Sequence, residues 1–254
     1  MINELQRKLD ENVRLEFKNK MEEFLFEYIN VQSKQDELRD ILRKKAEFYR
    51  KFPRESLCSM TVEQYAYFER NSFIYWVVFE LEKLGSTRSL FIDARNFTVV
   101  YNRNQQKYIY NQRFASLDDA WNKLRNDIIE LIDVCDGNTL RALSSNNLLS
   151  NKYLLKGKIA YLYHPKKFLP IYNRAHLLYF LYELGIISSR NESDSPFSLP
   201  GTGSLRLNLL LKNIIYEIGR DGWNDPKVSD LWNSNYNFLI GIFLYKIMSP
   251  PRMR

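Results

Sequence analysis

Arg103, Lys107, Arg113, Lys152, Lys156, Lys158, Lys166, Lys167 and Arg174 are interleaved along the chain with Tyr101, Tyr108, Tyr110, Tyr153, Tyr161, Tyr163 and Tyr172. Ammonium and guanidinium groups neutralise phosphates and release condensed counterions, which makes binding steeply salt-dependent. Tyrosine rings stack on unstacked or flipped bases, at about 1–3 kcal/mol per base in single-strand systems. The combination is the chemistry of a nucleic-acid surface. On this reading Arg103, Lys107, Arg113, Lys158, Lys166, Lys167 and Arg174 contact phosphates, and Tyr108, Tyr110 and Tyr163 contact bases. The same residues also fit a blander reading, in which solvated lysines surround a buried strand and each tyrosine packs in the core or at its rim.

The charge is unevenly placed. Residues 151–190 carry seven Lys/Arg against one acid, Glu183, so this window holds nearly all of the net charge of +7. Localised charge points to an oppositely charged partner, and nucleic acid is the commonest for a soluble protein.

Catalytic constellations are not found. His164 and His176 have no cysteine close in sequence, so the usual zinc spacings are absent. A nucleophile elbow, Gly-x-Ser-x-Gly, does not occur. The string Leu199-Pro-Gly-Thr-Gly-Ser204 resembles part of a phosphate-binding loop. However, Ser204 stands where the phosphate-contacting lysine belongs and Leu205 where the magnesium-binding hydroxyl belongs. Asp118 and Asp119 fall in the first turn of a helix, where they complement its dipole. His164 beside Pro165 reads as a turn residue. The expectation is a chain that is not an enzyme by itself and carries neither cofactor nor metal.

The elements that must position the basic and aromatic residues follow from periodicity. With 254 residues, 45% hydrophobic and 15% aromatic, the chain can bury a substantial core. Cys58 and Cys135 read as buried thiols in a reducing compartment. No apolar run reaches the ~18 residues of a membrane span, and the N-terminus is charged from Glu4 without a signal core, which predicts a soluble cytoplasmic chain. Leu5 to Tyr28 forms one helical stripe. After a break near Val31–Gln32, Ser33 with Asp36 marks a second helix that stops before Pro53. This pair is scaffolding packed on the body, or a docking or oligomerisation arm. Thr61 opens a core helix running to Leu84-Gly85. Leu90–Ile92, Phe97–Tyr101 and Tyr108–Tyr110 read as short strands, and Ser116 starts a helix closed by Asp136-Gly137-Asn138. A polar connection, Ser144–Asn151, leads to a strand at Ile159–Tyr163, a turn at His164–Lys167 and a return strand at Phe168–Tyr172. A helix follows from Arg174 to Leu184, then a loop at Ser188–Ser204 and C-terminal helices within Leu205–Ile218 and Val228–Met248. The predicted class is α+β, mostly helical, with a small mixed or antiparallel β-region. Its predicted division is a helical arm (1–56), an α+β recognition core (57–187), and a loop with C-terminal helices (188–254).

Several stretches, in this order, resemble the N-terminal module of McrB-type restriction subunits, AAA+ GTPases that drive cleavage of modified DNA. They are Met60–Trp76 with Leu84-Gly85-Ser86, Lys107-Tyr-Ile-Tyr110 before Ser116-Leu-Asp-Asp-Ala-Trp121, Lys158-Ile-Ala-Tyr-Leu-Tyr163, Phe168-Leu-Pro-Ile-Tyr172, Leu177 and Leu184-Gly185-Ile186. The similarity covers roughly 60–187 and consists mostly of core positions. One departure is Thr87–Tyr101, which has no glycine where relatives carry a glycine-rich stretch. The resemblance implies double-stranded DNA as ligand, a modified or flipped base as the feature sensed, and catalysis supplied by an AAA+ GTPase or ATPase, or an endonuclease. The rival expectation is a structural adaptor of a multi-protein complex.

Overall fold

A computed structural model describes residues 10–66, 71–85, 97–137, 139–190, 202–220, 222–234 and 237–250. Helix α1 (Glu11–Asn30) starts at Asp10, whose carboxylate accepts the N–H groups of Asn12 and Val13. The helix buries Phe17, Met21, Phe24, Leu25 and Tyr28 at helical spacing. Val31, in extended geometry, separates it from α2 (Gln32–Lys51), which stops ahead of Pro53. The Ser33 start signal goes unused. Val31 holds the cap position without a side-chain bond, and Ser33 lies inside the first turn. Both helices serve the body of the protein. Phe17 and Phe24 flank Phe243 with ring centroids 5.2 and 5.4 Å apart. Phe48 of α2 packs beside Phe73 and Tyr163.

The core helix expected from Thr61 to Leu84 is broken. Thr61 and Gln64 form the capping box, yet α3 (Val62–Tyr65) lasts one turn. The chain restarts at Ser72 as α4 (Phe73–Tyr75), continues through a π-turn (Trp76–Glu80) and a 3-10 turn (Glu82–Leu84), and ends at Gly85. Aromatic and β-branched residues crowd this run and have modest helix propensity, so packing sets its local geometry. Gly85 has φ +90°, and a Cβ there would stand 2.5 Å from the Pro170 carbonyl oxygen, so only glycine fits.

Strands β1 (Val99–Asn102) and β2 (Lys107–Tyr110) make an antiparallel hairpin in which Tyr101 faces Tyr108. The Asn102 Oδ1 accepts the N–H groups of Asn104 and Gln105, which closes the turn. The strand expected at Leu90–Ile92 lies outside the described residues. Helix α5 (Leu117–Val134) opens on Ser116, whose Oγ accepts the Asp119 N–H, and Gly137 (φ +70°) turns the chain after it.

Residues 158–172 overturn the strand pair expected there. Tyr153–Tyr163 is a helix, α6, buried continuously from Leu155 to Leu162. The alternation read from Ile159, Tyr161 and Tyr163 carries no information, because the residues between them are apolar too. Phe168–Tyr172 is irregular. It forgoes a sheet because two buried amides satisfy its backbone. Asn208 accepts the Leu169 N–H and donates to the Leu169 and Ile171 carbonyls, and Asn237 donates to those of Pro165 and Phe168.

Helices α7 (Arg174–Glu183), α8 (Gly203–Ile218), α9 (Pro226–Asn233) and α10 (Asn237–Met248) complete the chain. One hydrophobic cluster extends from Phe17 to Leu244. The fold is α+β and mostly helical, with one small two-stranded antiparallel sheet among the described residues. Cys135 is buried as expected, but Cys58 is exposed. Among the described residues no helix is long and apolar enough to cross a membrane.

Candidate nucleic-acid interface

Four of the ten residues singled out for DNA turn inward. Lys158 is fully buried, and its Nζ donates to the carbonyls of Leu81 (2.6 Å), Leu84 (2.8 Å) and Gly85 (2.7 Å). An ammonium has three donors, and all three are used on the carbonyl end of the 73–84 segment. Burial holds its pKa well below the ordinary lysine value. Lys167 does the same for α5, donating to Cys135 O (2.7 Å) and Gly137 O (2.6 Å). The Tyr163 hydroxyl donates to Phe52 O at 2.9 Å while its ring packs on Phe48. Arg174, at the start of α7, is only 9% exposed. Lys156, also in the basic window, is buried and donates to Ser150 O. Three of the seven cations at 151–190 are therefore consumed by carbonyls at the ends of helices and turns, and Arg190 pairs with Glu183. Nothing in a lysine's sequence neighbourhood tells which carbonyls will reach its ammonium.

The remaining cations face solvent. Arg103, Lys107 and Arg113 are exposed on and beside the hairpin, and Lys166 is exposed after α6. The Arg113 guanidinium lies 5.0 Å from the Phe114 ring centroid, and its backbone N–H donates to Asn111 Oδ1. Tyr108 and Tyr110 are half-buried. Tyr108 packs against Tyr101 at 5.1 Å, and Tyr110 lines a cleft.

That cleft, about 680 Å³, lies between the end of β2 with Asn111–Arg113 and the loop Ser145–Lys152. Its size falls within the roughly 300–1,000 Å³ of small-ligand pockets. Thr98, Val100, Ile109 and Leu148 give it apolar wall. Gln112, Asn146 and Asn151 give it amides, and Arg113 and Lys152 give it positive charge. Among the described residues no acid lines it, and the sequence has none in 97–116 or 139–173.

Two carboxylates behind the loop hold its shape. The Glu130 Oε1 accepts both the N–H and the hydroxyl of Ser144, each at 2.6 Å, and its Oε2 accepts from Asn147 Nδ2 at 2.9 Å. The Asp127 Oδ2 accepts the Leu148 N–H at 2.9 Å. Burial alone would raise the Glu130 pKa, but the bonds from Ser144 and Asn147 outweigh it and hold the carboxyl below its usual range. Both carboxylates are thus spent on the loop's far side. Sequence reasoning treated Ser144–Asn151 as a plain connection, although the long acid-free stretch around it was a usable signal.

The other sequence candidates have structural roles. His164 ends α6, with its Nε2 2.9 Å from Ile132 O, and burial lowers its pKa. Asp118 and Asp119 lie in the first turn of α5. Thr202, Gly203 and Ser204 are buried where α8 begins. No group of three or more His, Cys, Asp or Glu able to hold a metal ion occurs among the described residues. Compared with protein-family models, with curated proteins and with solved structures, the chain matches none.

Proposed function

We propose that this chain is a DNA-recognition module, non-catalytic by itself, that binds duplex DNA through the hairpin and the Ser145–Lys152 loop. The observation that carries the reading is the acid-free cleft lined by Arg113 and Lys152, beside a hairpin whose turn end exposes Arg103 and Lys107. Arg113 and Lys152 in the cleft wall and the cations of the hairpin suit the phosphates, while the amides and Tyr110 that line the cleft suit the edge and face of a modified or flipped base. The order of motifs resembling McrB-type subunits supports a place in a restriction or anti-phage defence system. In that setting an AAA+ GTPase or ATPase, or an endonuclease, supplies the chemistry.

A gel-shift titration at two salt concentrations tests this reading. The triple variant Arg103→Glu, Lys107→Glu, Arg113→Glu weakens binding to every duplex. It also flattens the salt dependence by roughly 0.9 in log–log slope for each phosphate that is no longer neutralised. Unchanged binding by a folded triple variant overturns the assignment. Duplexes with and without base modification, assayed against Asn146→Ala, separate base sensing from backbone binding.

A second reading, a structural adaptor, is favoured by the inward use of Lys156, Lys158 and Lys167, which leaves fewer cations for a polyanion. Light scattering beside the same DNA titration distinguishes the two.

A further inference from the structure

The acid-free cleft stands at the N-terminal end of α6. Asn151 and Lys152 line it, and Lys152 opens the helix with no side-chain bond capping the first turn. A helix N-terminus carries about half an elementary positive charge. Arg113, from the β2 side, and Lys152, from the loop, put two cations on the same cleft. Gln112, Asn146 and Asn151 are exposed, and their side-chain amides form no hydrogen bond among the described residues. The Asn111 and Asn147 side chains, by contrast, are used within their own loops. A volume of about 680 Å³ corresponds to a cube roughly 9 Å on edge. That admits one nucleotide and excludes a duplex, whose major groove alone is about 12 Å wide.

Charge then distinguishes between kinds of nucleotide. A base flipped out of an intact strand leaves its phosphates in the backbone outside, as diesters of one negative charge each. A terminal nucleotide brings its phosphate in with it, as a monoester of about −1.5 to −2 charge at pH 7. Two cations beside a helix N-terminus match the monoester, whereas a diester leaves one cation uncompensated. Building on the DNA-recognition reading of this cleft, we propose that its preferred occupant is a nucleoside bearing a terminal phosphate. The phosphate lies among Arg113, Lys152 and the start of α6, and the base lies against Tyr110 and the Gln112 and Asn146 amides. Two sources supply this chemistry: a free nucleoside monophosphate, or the phosphorylated end of a DNA strand.

Isothermal titration calorimetry of the whole chain with adenosine and cytidine 5′-monophosphates, beside the two nucleosides, tests the proposal. The monophosphates bind with a dissociation constant between roughly 10 µM and 1 mM, and the nucleosides at least about tenfold more weakly. Arg113→Gln and Lys152→Gln each weaken monophosphate binding about tenfold or more. Arg113 is exposed, so its variant stays informative if Lys152→Gln, at the start of a buried helix, fails to fold. A gel shift with one duplex carrying 5′-phosphate or 5′-hydroxyl ends separates the sources. Tighter binding of the phosphorylated duplex assigns the cleft to strand ends, and equal binding beside tight monophosphate binding assigns it to the free nucleotide. No preference for phosphate in either arm overturns the proposal, as does a preference that survives both substitutions. Closed circular duplex, which has no ends, tells that failure from a failure of DNA recognition. A chain that binds the circle without any phosphate preference keeps DNA recognition and loses the terminal-phosphate site. One that binds monophosphates and no duplex does the reverse.

Discussion

Replacing Lys158 with methionine separates the two roles a lysine in this stretch could have. Methionine nearly matches the lysine stem in volume, so little cavity is left, but three buried carbonyls lose their donors. Each hydrogen bond to a charged group contributes about 1.5–3 kcal/mol, and an orphaned buried acceptor costs about 1–3 kcal/mol. Against this stands the relief of no longer burying an ammonium, which amounts to several kcal/mol. The balance is a loss of about 3–5 kcal/mol. For a chain of this size each kcal/mol moves the melting temperature by roughly 2–4 °C, so a fall of roughly 10 °C is expected in a thermal melt followed by circular dichroism. Lys107→Met, on the exposed hairpin, stays within about 2 °C of the parent, as surface substitutions do. DNA affinity reverses the order. Measured well below the melting range, Lys158→Met binds within the roughly tenfold that 1.4 kcal/mol represents, whereas Lys107→Met loses affinity in a salt-dependent way. A Lys158→Met protein that melts like the parent and fails to bind DNA would refute the reasoning.

Other outcomes follow from the same geometry. Glu130→Gln loses the charge that Ser144 and Asn147 share. It should cost about 1–2 kcal/mol and expose the 144–149 backbone amides to faster hydrogen exchange. Unchanged protection there would mean the carboxylate does not hold the loop. The Glu130 pKa is lowered in the folded chain, so its contribution is complete above the unfolded value near 4.5 and is lost as pH falls through the folded value. A parent-minus-Gln stability difference that does not shrink on acidification contradicts this. Lys45 is pushed down to about 8 by burial. Between about 8 and the unfolded value near 10.4 the unfolded chain binds more protons, so stability rises with pH across that window. Lys45→Met should flatten the rise in a pH series of urea melts, and an unaltered slope would place the titration elsewhere.

Local signals in the chain were sufficient for much of the scaffold. The Thr61–Gln64 box, the Ser116 cap and the glycines at 85 and 185 mark termini that the folded chain uses, because caps act within four residues of themselves. The break at Val31, the stripes of α1 and α5, and the hairpin with its Asn102–Gln106 turn were legible for the same reason. Tertiary structure alone decided the 158–172 region and the allocation of charge. An apolar run such as Ile159–Leu162 suits a helix or a strand equally, and the choice fell to packing on all sides. The irregular return is tolerated because Asn208 and Asn237, far along the chain, satisfy its carbonyls. A lysine's partner depends on where chain ends meet in space. Three cations of the basic window therefore close helices and turns, and the open, acid-free face lies at the hairpin and an asparagine-rich loop.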